Sequence, residues 1–167
     1  LMQLFMLFSF FMDGFAFAGE ALAGKYTGRD DSASLHSLVR ALMKTGLCCA
    51  IIFSLTYLGA GEWIIKLLAK DPAVTATAAY YLPWAVAVPL CGFMAFVWDG
   101  IYVGLVRTRA MLVSMAVALA VFFTVYFSAR NNLANHGLWL AFNLYLLTRG
   151  CVLGILFKRY SHSKSER

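Results

Sequence analysis

Apolar residues run along this chain in five long stretches, broken by short polar or charged connections. The first, about residues 1–25, opens with eleven almost wholly apolar residues (LMQLFMLFSFF). The second starts amphipathically near 40 and is then fully apolar through about 58. The others lie at about 73–106, 110–128 and 136–157. Each is long enough to cross a hydrocarbon layer as a helix, and only helices and closed barrels satisfy their backbone there. The alternating ten-residue pattern of a transmembrane barrel is absent from the sequence. The pattern therefore predicts an all-α, polytopic membrane helix bundle with five transmembrane helices. In the segment GAGEWIIKLLAKDP, one face can hold Trp63, Ile64, Ile65, Leu67 and Leu68 against Glu62, Lys66 and Lys70, which suits a short interfacial helix over about 62–70. Ser32 or Ser34 is expected to cap the second span. Residues 158–167 read as a basic, solvated tail.

Composition sharpens the class. At 62% hydrophobic and 13% charged over 167 residues, the chain is unlike a soluble domain, in which about a quarter of residues are charged. The net charge of +6 raises nucleic acid as a partner, but the bases flank apolar spans and form no continuous face. They serve orientation instead. The connections after the first and third spans and the tail hold ten Lys and Arg residues, whereas the opposite side holds three, Lys66, Lys70 and Arg130. The positive-inside rule then predicts a cytoplasmic C-terminus and an external N-terminus. That orientation, with no initiating Met, predicts one or more helices before Leu1. The four cysteines, Cys48, Cys49, Cys91 and Cys151, show no ligand spacing and read as packed thiols.

Chemistry is concentrated in the few ionisable residues inside spans. Asp13 and Glu20 are seven residues apart, so both point the same way, roughly 10 Å apart along a helix axis. An acid at membrane depth is expensive unless it faces protein, water or an ion, so Asp13, Glu20 and Asp99 are the candidates for proton or cation coupling. Glu20 is also close enough to the cytoplasmic end to reach headgroups. Asp99 reads equally as a site residue or as a structural partner of Arg107 or Arg149. Arg149, in LLTRGCVLGILF, is the structural ion-pair candidate. Pro83 and Pro89 each remove a helical hydrogen bond and are the candidate hinge of the third span. The small residues from Gly14 to Gly24 suit close helix contact. No P-loop, nucleophile constellation or metal-ligand pattern is visible, so neither an enzyme nor a cofactor protein is expected.

The ordered motifs DGFAFAGEALAGKYTGRDD, AGEWIIKLLA, WDGIYVGLVRTRAMLVSMAVA, HGLWLAF and LLTRG resemble the C-terminal half of multidrug and toxic compound extrusion (MATE) transporters, in their DinF-like branch. The resemblance implies two six-helix lobes, with the present spans matching the eighth to twelfth helices and the N-terminal lobe as the missing partner. It implies a secondary active antiporter of the inner membrane, exporting organic cations or other small toxic compounds against H⁺ or Na⁺, present here as a C-terminal fragment. Asp13 and Asp99 match the branch's DGF and DG-I/M patterns. A flippase for lipid-linked saccharides, or a non-transporting truncated scaffold in the bilayer, are the alternatives.

Overall fold

The computed structural model describes residues 1–69, 71–133 and 135–165, with the backbone alone at 130–132 and 162–165. Within these, the chain forms five α-helices and no strand: α1 (Met2–Gly28), α2 (Ser32–Leu68), α3 (Pro72–Gly104), α4 (Thr108–Leu133) and α5 (Asn135–Ser165). Each contains a stretch long and apolar enough to cross a membrane. The protein is a multi-pass membrane protein, and its exposed side chains agree. Phe10, Phe17, Leu55, Leu58, Leu112 and Ile155 all lie on the surface, where hydrocarbon is the solvent that suits them.

The helix ends differ from the sequence expectation in three places. Asp31, rather than Ser32 or Ser34, caps α2: its Oδ1 accepts the Ser34 backbone N–H at 2.9 Å. Hydrogen bonds from the Ser34 side chain and backbone hold the Asp31 carboxyl below the usual carboxylate range. The helix thus starts at Ser32, just ahead of where a Ser32 or Ser34 cap would start it and before the span expected from 40. Nor is the interfacial helix over 62–70 a separate element, because α2 continues through Gly59 and Gly61 to Leu68; Lys70 lies outside the described residues. A glycine inside a helix costs only about 1 kcal/mol, and here Gly61 seats Leu82 of α3, whose Cδ1 would lie 2.9 Å from an added Cβ. Finally, α5 runs on to Ser165 through most of the stretch expected as a solvated tail. Its last described side chains have partners: the Ser161 hydroxyl meets His36 at 2.7 Å, and the Arg107 guanidinium lies 3.8 Å from the centre of the Tyr160 ring.

α3 is the hub. It packs against α1, α2 and α5 and touches α4, which leans mainly on α5. Phe8 and Met12 of α1, Leu42 and Ala50 of α2, Val97, Trp98 and Ile101 of α3, and Leu153 and Phe157 of α5 form the main core. Lipid gives little hydrophobic drive for helices to associate, so close backbone contact and hydrogen bonds must do much of the holding. Both are present. A Cβ added at Gly100 would fall on the Ala16 carbonyl, and one at Gly104 on the Glu20 carbonyl. The Gly-x-x-x-Gly spacing on α3 therefore lets α1 lie backbone to backbone against it. Buried hydroxyls tie the remaining helices: Tyr57 donates to the Leu4 carbonyl at 2.6 Å, and Tyr102 to the Leu153 carbonyl at 2.9 Å.

Candidate functional site

Two of the ionisable residues inside spans, Asp99 and Arg149, meet where α3 packs against α5. On α5, Gly150 has no side chain to hold α3 away; an added Cβ would lie 2.7 Å from the Met94 Cβ. The residue before it, Arg149, then reaches Asp99 on the next turn of α3. Arg149 Nη2 donates to Asp99 Oδ2 at 2.8 Å, with the side chains only 18% and 24% exposed. A charge-assisted bond of this length is strong, and at this depth it also answers the high cost of either charge alone.

The pair does not satisfy all its own atoms. Asp99 Oδ1 and Arg149 Nε are both buried and have no hydrogen-bond partner among the described residues. The indole N–H of Trp98, beside Asp99 in sequence, is in the same condition. A buried carboxylate oxygen with its lone pairs unengaged can accept a proton or join a cation's coordination shell. Nearly all buried polar atoms in proteins find a partner, so two exceptions within one ion pair mark a polar spot of unusual chemistry.

Of the two acids on α1, Asp13 is half-buried one turn before the Ala16–Gly100 contact. Glu20 is half-buried at the next contact along, where its own carbonyl meets Gly104. Among the described residues neither Asp13 nor Glu20 forms a salt bridge. No group of three or more His, Cys, Asp or Glu side chains there is placed to hold a metal ion.

The two prolines differ in setting. α3 remains one helix through both, with Pro83 exposed and Pro89 buried. Pro89 has no N–H to offer the Ala85 carbonyl. One residue further on, the Val86 carbonyl accepts the Ser54 hydroxyl of α2 at 2.8 Å, so a neighbouring helix supports the backbone beside the proline. Sequence reasoning passed over Ser54, and also Trp84, whose indole N–H donates to His136 Nδ1 at 2.8 Å. The signal was present for Ser54, a lone hydroxyl in the apolar run CCAIIFSL. Nothing in sequence spacing joins Trp84 to a histidine on another helix.

The chain is similar to known proteins over most of its length. The MatE family model matches residues 1–127. DNA damage-inducible protein F of Escherichia coli (strain K12) is 37% identical over 160 residues, covering 96% of this chain and 35% of that protein. Protein DETOXIFICATION 43 of Arabidopsis thaliana is 26% identical over 151 residues, covering 89% of this chain and 28% of that protein. The chain thus spans about a third of the length of these relatives. No solved structure matches it. A family model covering well over half of the residues, together with five membrane-crossing helices, shows that the chain belongs to the MatE family of membrane transporters.

Proposed function

We propose that this chain supplies five helices of the C-terminal lobe of a secondary active exporter in the inner membrane. It would work with an N-terminal lobe and couple the export of an organic cation or other small toxic compound to inward movement of H⁺. The relatives' greater length supports a second lobe, and the plant relative's name supports detoxification as the purpose. The observation that carries the coupling is the Asp99–Arg149 pair, with Asp99 Oδ1 buried and unengaged among the described residues.

The proposed mechanism follows from electrostatics. With Asp99 ionised, the guanidinium ties α5 to α3. A proton arriving at Oδ1 removes the negative charge, so the attraction to Arg149 falls and the two helices are freer to shift against each other. Deprotonation restores the tie. A carboxylate whose charge state changes the link between two packed helices can bias a two-state equilibrium, which is what alternating access requires. A proton suits this spot better than Na⁺, because one free carboxylate oxygen can take a proton whereas a metal cation needs several oxygen ligands, and among the described residues no further carboxylate is bonded to the pair. Pro83 and Pro89 place the weaker backbone of α3 in the half of the helix that precedes Asp99, where bending would swing the pair.

Ethidium efflux from vesicles carrying the full-length transporter tests the reading, with pH and Na⁺ gradients imposed separately. The pH gradient is expected to drive wild-type efflux, and Asp99→Asn, at normal expression, is expected to lose it. Efflux driven by the Na⁺ gradient would reject the coupling ion, and undiminished efflux from Asp99→Asn would reject the site.

A further inference from the structure

Away from the Asp99–Arg149 pair, a cavity of about 430 Å³ opens between the first turns of α2 and the last turns of α5. That is within the roughly 300–1,000 Å³ of small-molecule sites. Among the described residues its polar lining is Ser32, His36, Arg40, Tyr160 and Ser161, with no carboxylate. Asp31, next to it in sequence, turns its Oδ1 to the Ser34 N–H. Arg40 is exposed and makes no salt bridge among the described residues. The Arg107 guanidinium, stacked on the Tyr160 ring, adds positive charge behind that wall.

His36 is engaged at both ring nitrogens. Its Nδ1 lies 2.7 Å from the Ser32 carbonyl, which can only accept, so Nδ1 carries the proton. Nε2 is left to accept the Ser161 hydroxyl at 2.7 Å when the ring is neutral. Beside it the cavity offers the Arg40 guanidinium and the Ser32 and Tyr160 hydroxyls, with Leu35 and Phe157 as apolar walls.

The surface below the cavity identifies the source of that anion. Continuing from His36 and Arg40 at helical spacing, the same side of α2 carries Lys44 and then Leu47, Ile51, Leu55 and Leu58, all exposed. Leu47 and Ile51 lie about 10 and 16 Å along the axis from Arg40. One leaflet's hydrocarbon is about 15 Å deep. A basic head site joined to an exposed apolar stripe of one-leaflet length matches an amphiphile, whereas free phosphate has no use for the stripe. We propose that this cavity seats the phosphate of an anionic phospholipid, with Arg40 as its main charge partner and an acyl chain lying along Leu47 and Ile51. A basic pocket between transmembrane helices at a membrane surface has the chemistry to select anionic headgroups.

Native mass spectrometry of the detergent-purified chain, titrated with phosphatidylglycerol or phosphatidylcholine, tests this. The wild type is expected to retain phosphatidylglycerol in preference to phosphatidylcholine. Arg40→Gln should weaken that binding about fivefold, the effect of one basic residue at a membrane surface. Arg40→Lys should keep most of it, and Lys66→Gln, at the other end of α2, should change nothing. Millimolar inorganic phosphate should not displace the lipid. Equal retention of the two lipids, undiminished binding by Arg40→Gln, or an equal loss in Lys66→Gln would overturn the site. Displacement by inorganic phosphate would overturn the lipid as its ligand.

Discussion

Arg149 is the residue whose removal should be felt most widely, because it is the counter-charge of a carboxylate that is mostly withdrawn from solvent. Removing one partner of such a pair strands the other, whereas replacing both with neutral groups of similar shape is often tolerated. Arg149→Met is therefore expected to lower stability by roughly 3 kcal/mol. Adding Asp99→Asn should recover most of that loss, although the double variant would lack coupling. Thermal unfolding of the two variants in detergent is the check; equal losses would mean that the pair contributes little to the fold. Asp99 and Arg149 were legible in the sequence as expensive residues in apolar runs, and a pair between them was one of two arrangements open to Asp99. What was not legible was the choice of Arg149 over Arg107. Arg107 instead lies over Tyr160, because α5 continues past the expected end of its span. Distances between separate spans depend on packing, which leaves no trace in periodicity.

Helix by helix, existence was easy to read and ends were not. Five apolar runs gave five helices, because length and apolarity alone decide which segments can cross lipid. The start of α2 was placed slightly late because Asp31 was overlooked as a cap, and its last turns were read as a separate interfacial helix. Nor did the sequence say which glycines hold helices together. Gly100 and Gly59 are both helical and demonstrate the difference. Gly100 faces the Ala16 carbonyl, while a Cβ at Gly59 would meet nothing within 4 Å. Gly100→Ala should force α1 and α3 apart and destabilise by about 3 kcal/mol, the upper range for overpacking. Gly59→Ala should stabilise by up to about 1 kcal/mol through helix propensity alone. Thermal unfolding separates these cases, and a neutral Gly100→Ala would show that α1 does not lie as close to α3 as the glycine spacing requires. The same Gly100 contact brings the backbone of α1 next to Asp99, so the packing glycines and the proposed coupling site belong to one joint.

At the scale of the molecule, the arrangement is asymmetric in a way that suits a lobe. α3 is enclosed by its neighbours, while α1 presents Met6, Leu7, Phe10 and Phe17 on its surface. The in-span acids lie on α1 and α3, and the in-span base on α5 joins the α3 acid to the bundle. Protonation at Asp99 is thus positioned to loosen the central helix from α5 while α1 stays fastened through Gly100 and Gly104. If that is how coupling works, substrate and proton must exclude each other thermodynamically, and linkage makes the exclusion reciprocal. The most direct measurement is proton release on adding ethidium to the purified full-length transporter in weakly buffered detergent solution. About one proton per bound ethidium is expected from wild type, and none from Asp99→Asn that still binds the dye. Equal release from both proteins would contradict Asp99 as the coupling acid.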